Sequence, residues 1–149
     1  MIEPEKSSLV PGESQNANTS TLKGVQKLWE SVRFFKLMEF DSPDAPGSGI
    51  NMNVEFVLLL DKLREKCGFP LQINSAYRTP DHNRKVGGVS ESAHIKGCAC
   101  DLRISSSLER YLIVQAAMAL GFTRIGVGKT FIHVDMDFDL PQRVLWVYD

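Results

Sequence analysis

Three histidines occur in the 149 residues, His82, His94 and His133, so imidazole chemistry has few places to sit. His94 lies in the glycine- and serine-rich stretch GGVSESAHIKG, Asp101 follows seven residues later in CACDLRI, and His133 lies in FIHVDMD. Two neutral imidazoles and one carboxylate suit Zn²⁺. They leave one positive charge and an open position where water becomes a nucleophile. Strand parity supports the set. In CACDLRI, Asp101 shares a face with Ala99 and Arg103, and Cys98 and Cys100 point the other way. In FIHVDMD, His133, Asp135 and Asp137 share one face and Ile132, Val134 and Met136 the opposite one. A buried row of that kind has to be paired or bound to metal. Taken singly, the same residues read as an exposed loop histidine, a carboxylate accepting backbone or arginine hydrogen bonds, and a satisfied edge-strand histidine. Spacing alone leaves both readings open.

Other signals carry less. GVGKT at 126–130 lacks the glycine that a phosphate-binding loop needs at position 123, which is Thr123. Cys98 and Cys100 have no second cysteine pair to complete a thiolate site. No G-x-S-x-G elbow supports a serine hydrolase. His82, in PDHN, reads as an exposed helical residue.

The elements that must position these residues follow from periodicity. Leu22, Val25, Leu28, Trp29 and Val32 predict a helix over 21–32, and FFKLMEF predicts a strand. DSPDAPGSG, 41–49, reads as an ordered loop able to line a cleft. Phe56, Leu59, Leu60, Leu63 and Cys67 define one face of a helix over 53–67, with Cys67 in the core. LQINS predicts a strand at 71–75, and Thr79 caps a short helix beginning at Pro80. Residues 87–97 predict a surface loop carrying functional groups. After the CACDLRI strand, Ser106 and Glu109 form a capping-box spacing for a helix that ends at Gly121. Hairpin-linked strands are expected near 123–127, 131–136 and 143–148. Helices early and strands late predict a small single α+β domain, an antiparallel sheet with packed helices.

Seventeen basic against eighteen acidic residues leave a net charge of −1, which gives no footprint for nucleic acid. No stretch approaches a membrane span, and the polar opening has neither a basic nor an apolar signal region. The expectation is a flexible lead-in over 1–20, a single folded domain over 21–149, and a chain that is cytoplasmic when synthesised. Three cysteines fit a reducing compartment better than a disulfide framework.

The stretch INSAYRTPDHNRKVGGVSESAHIKGCACDLRI resembles the central block of the M15-type zinc peptidases, the D-Ala-D-Ala carboxypeptidase and murein endopeptidase group. The pieces are Ser75, Tyr77, Arg78, Thr79 and Asn83, then Ser92, His94, Gly97, Ala99 and Asp101, then His133 and Asp135. FFKLMEFDSP resembles the start of the short, phage-associated branch, and the likeness spans roughly 34–136. The resemblance implies a hedgehog/DD-peptidase-like fold and one Zn²⁺ per chain held by His94, Asp101 and His133. Relatives with H-x-H use the second histidine, where Asp135 stands here. His133 is preferred because two carboxylates would neutralise the zinc. Arg78 is implied to face a substrate carbonyl or terminal carboxylate, its alternative being to pin a loop. Tyr77 and Ser92 fall beside the substrate, with packing and bracing of the His94 loop as their other roles. RIGVGKTFIHVDMD contains no glutamate, so Asp135 is the candidate general base, or else it orients an imidazole or water. The implied substrate is a peptidoglycan peptide, reached after release from the cell or as a virion component. The alternative is a zinc-stabilised, non-catalytic module, for example in a phage particle.

Overall fold

A computed structural model describes the backbone from Ser14 and side chains from Leu22 onward. Residues 1–13 of the expected lead-in lie outside the described residues. The backbone is helical from Ser14 to Glu30 (α1), so the first helix begins well before 21. Of its expected apolar face, Leu22 and Leu28 are exposed, whereas Trp29 and the following Val32 pack on the core.

FFKLMEF is not a strand. Leu37–Phe40 forms a 3₁₀ turn, because the amides of Arg33 and Phe34 are taken by the buried Asp61 carboxylate and that of Lys36 by Glu39. Phe35 and Phe40 are buried and stack edge to face, while Leu37 and Met38 face outward, which breaks the alternation a strand needs. The 41–49 loop is ordered by Asp41, which accepts the amides of Gly47 and Gly49. It lines no part of the site described below. Instead Asp44 accepts from Thr79, and the Ser42 hydroxyl accepts the Thr79 amide, bracing the approach to the short helix that begins at Pro80.

Helices α2 (Val54–Cys67) and α4 (Ser107–Ala119) are capped by Asn53 and Ser106, and the short α3 (Pro80–Lys85) by Thr79. α2 and α4 contribute Phe56, Leu60, Leu63, Ile113 and Ala117 to the main core. Cys67 packs at its margin.

The five-stranded sheet has the order β1-β2-β4-β3-β5, from β1 (Ile73–Ser75), β2 (Ala99–Arg103), β3 (Arg124–Val127), β4 (Phe131–Asp135) and β5 (Val144–Val147). Four strands are antiparallel. β5 does not return beside β4 as a hairpin but pairs parallel with β3. Residues 136–143 cross over to reach that edge, tied by hydrogen bonds from Gln142 to the carbonyls of Asp137 and Leu140. The chain is thus a small α+β domain with a mixed sheet. Among the described residues no helix is long and apolar enough to cross a membrane.

Candidate metal centre

Register across the sheet builds the site. Ser75 opposes Asp101, Asp101 opposes His133, His133 opposes Gly126, and Gly126 opposes Trp146, so one row crosses all five strands. A second row, two residues along, places Ala99, Asp135 and Arg124 side by side. Both rows lie on the face opposite the helices, as period-two alternation requires. Gly126 leaves that row open: a Cβ there would stand 2.7 Å from the Trp146 indole, which packs on the His133 ring at 5.5 Å.

His94 arrives from the 86–97 loop, whose path is set by buried contacts. Asn83, 1% exposed, donates to the Val89 carbonyl, and a Cβ on Gly88 would fall 2.1 Å from its Oδ1. Gly97 has φ +71°, and a side chain there would meet the Asn51 carbonyl at 2.3 Å. Its own carbonyl accepts the amide of Asn53, the cap of α2. These contacts explain the glycine and asparagine of the motif. Ala99 is fully buried.

His94, Asp101 and His133 each bring one ligand atom into a cluster, with all three atoms within 4.8 Å of one another. The His94 Nδ1 lies 2.7 Å from the Ala76 carbonyl, an obligate acceptor, so Nδ1 donates and the Nε2 lone pair faces Asp101 at 3.4 Å. The His133 Nε2 lies 2.8 Å from Asp135 Oδ2, and Nδ1 lies 2.8 Å from Asp101 Oδ1. With Nε2 donating to Asp135, a neutral His133 would set its Nδ1 lone pair against a carboxylate oxygen. A proton or another cation must lie between them.

The titration behaviour expresses this demand. Burial pushes the Asp101 carboxyl up, but hydrogen bonds from His133 and then His94 outweigh it and hold the group well below its usual range. Burial pushes the His133 imidazolium down, yet hydrogen bonds to Asp101 and Asp135 outweigh it and raise its pKa. Burial likewise works against ionisation of Asp135, and His133, the Asp137 amide and Arg124 together reverse it. The site is built to hold positive charge, and two imidazole nitrogens with a carboxylate are a donor set that fits zinc.

The remaining expected residues separate into groups. Arg78 reaches the cluster, with Nη2 3.3 Å from Asp101 Oδ2, Nε donating to Ser75 and Nη1 to Asn83. Ser92 is 8% exposed and its hydroxyl accepts the His94 amide, which braces the ligand loop. Tyr77 packs on the core and is not among the residues lining the pocket over the cluster. Asp135 is 2% exposed, and both its oxygens are engaged: Oδ1 accepts from Arg124 and the Asp137 amide, and Oδ2 from His133. Asp137 is buried, in an ion pair with Lys96 at 2.9 Å. Cys98 and Cys100 are buried away from the cluster, Cys100 in the main core.

An open pocket of about 400 Å³ lies over the cluster. Its walls include residues not anticipated from the sequence: Arg124, Phe131, Trp146 and Tyr148. Parity in VLWVY, with Leu145 and Val147 outward, was a signal for the last two. Glu91, exposed on the 86–97 loop, also lines the pocket.

A mixed sheet in an α+β domain carries a His, Asp, His cluster beneath an open cleft, an arrangement able to hold a metal ion. The model of the Peptidase M15 family matches residues 35–135, and the chain belongs to that family. Family and triad together support a metallopeptidase. No match was found among curated proteins.

Proposed function

We propose that the chain hydrolyses a peptide bond in peptidoglycan stem peptides or cross-links, with one Zn²⁺ held by His94 Nε2, Asp101 and His133 Nδ1. The observation that carries this reading is the convergence of these three donors at the floor of an open pocket with Arg78 beside them. Bound there, zinc supplies Lewis acidity and a water of lowered pKa. The likeness to murein peptidases supports the substrate class, and an enzyme of this kind meets it after release from the cell or as a virion component.

Residues of the chain then divide the work. The Ala76 carbonyl and Asp135 fix the two imidazole tautomers that present lone pairs to the ion. Arg78 uses three of its five donors on Ser75, Asn83 and Asp101, which leaves others for a substrate carbonyl as it gains negative charge. Ser92 braces the His94 loop and also lines the pocket, where its hydroxyl hydrogen can donate to substrate. Asp135 orients His133; the role of general base fits it less well, because neither oxygen is left without a partner.

That same commitment of Asp135 favours a second reading, a zinc-stabilised module without turnover. Release of free amines from purified peptidoglycan, with and without zinc, separates the two. The enzyme reading expects zinc-dependent release that His94→Ala abolishes together with stoichiometric zinc. Bound zinc without any amine release would establish the module instead.

A further inference from the structure

Arg124 belongs to no recognised motif, yet it is the buried cation nearest the tether of His133. It sits on β3 directly opposite Asp135, is 9% exposed, and gives its Nε to Asp135 Oδ1 at 2.8 Å. Its Nη1 donates to the Pro141 carbonyl on the crossover, and its guanidinium lies over the Trp146 ring, 5.2 Å from the centroid. Asp135 thus has one oxygen fixed by Arg124 and the Asp137 amide, and the other fixed on His133.

We infer that Arg124 is a positioning residue for the metal centre: through Asp135 it sets the orientation of His133, and through Pro141 and Trp146 it ties that ligand to the crossover and the pocket wall. The inference rests on the metal site proposed above. A buried carboxylate needs both oxygens satisfied, and Arg124 with the Asp137 amide occupies Oδ1 of Asp135, which leaves Oδ2 turned to His133. The guanidinium's planar fork serves two acceptors at once, which the point charge of lysine cannot reproduce. Finally, an outer hydrogen bond to a ligating imidazole fixes its ring and raises its basicity, so loss of the group holding that acceptor is felt at the ion.

A role confined to stapling the 136–143 crossover would lower stability and leave metal binding alone. The discriminating measurements are therefore zinc affinity by chelator competition and the visible spectrum of the Co²⁺-substituted protein, for Arg124→Met, Asp135→Asn and the double variant. Arg124→Met is expected to weaken zinc binding by about 10- to 100-fold and to alter the Co²⁺ bands. The double variant is expected to bind zinc no more weakly than Asp135→Asn alone, since both lesions act on one tether. Arg124→Gln, which keeps one donor, carries the same test if Arg124→Met does not fold. Wild-type affinity and an unchanged spectrum in the folded Arg124 variant would overturn the inference, as would effects that simply add to those of Asp135→Asn. Zinc retained by His94→Ala would instead overturn the site itself, so the two failures are distinguishable.

Discussion

The two faces of β2 and β4 solve opposite problems with one backbone. On the helix side, Cys100, Leu102, Ile132 and Val134 are fully buried beneath α2 and α4, and their stability comes from apolar area removed from water. On the other side, Asp101, His133 and Asp135 are withdrawn from water almost as far, 15%, 9% and 2% exposed at their side chains. Burial there is a cost, met by a chain of ion pairs from Arg78 through Asp101, His133 and Asp135 to Arg124. The apolar face therefore determines whether the sheet folds, and the polar face determines what it binds.

Neighbouring residues on one strand test that division most severely. His133→Ala is expected to abolish stoichiometric metal binding while the protein remains folded. Ile132→Ala, one residue away, is expected to lose about 2–5 kcal/mol of stability and to keep its metal. Denaturant unfolding and metal analysis of the two variants in parallel would check this, and metal loss from folded Ile132→Ala would break the comparison.

A smaller effect concerns the thiols. Burial, with the charges of Asp137 and Asp135, pushes Cys98 up to about 11, and burial raises Cys100 well above its ordinary value. With a pKa near 11 only about one thiol in a thousand is ionised at pH 8. Iodoacetamide at that pH is expected to label native protein on Cys67 before either of them, with all three labelled after denaturation. Rapid labelling of Cys98 accompanied by metal release would point to a thiolate ligand and against the His, Asp, His set.

The smallest effect contrasts buried carboxylates with exposed ones. The Ser105 amide and then its hydroxyl hold Glu109 below its usual range. Because the folded value is depressed, the contribution of Glu109 is present above its unfolded value, near 4.3, and is lost as pH falls through the folded one. The group is exposed and screened, so the effect is slight. Glu109→Gln should make the acid limb of Tm against pH a little less steep between about pH 5 and 3. An unaltered limb would show that Ser105 does not stabilise the ionised form.

Much of this arrangement was legible in the residues. Alternation in CACDLRI and FIHVDMD gave both faces of both strands, and the caps at Thr79 and Ser106 with the glycine at 121 gave the helix limits. Local rules suffice there, because side-chain parity and capping depend on residues a few positions apart. FFKLMEF misled because its apolar composition suits a strand, whereas a buried carboxylate 27 residues further on, Asp61, takes the Phe34 amide. The 41–49 loop misled for a similar reason, its hydrogen bonds going to Thr79 and not to a cleft.

The sequence by itself determined which atoms are available for chemistry: two histidines and an aspartate in a family motif, each on the polar side of its strand or on a glycine-hinged loop. Tertiary structure decided how those atoms are used. Cross-strand register put Arg124 against Asp135, which left Asp135 with both oxygens occupied, and the parallel docking of β5 on β3 brought Trp146 over Gly126 to His133. Neither follows from spacing, because register and strand order are fixed by which side chains can be buried together across the whole sheet.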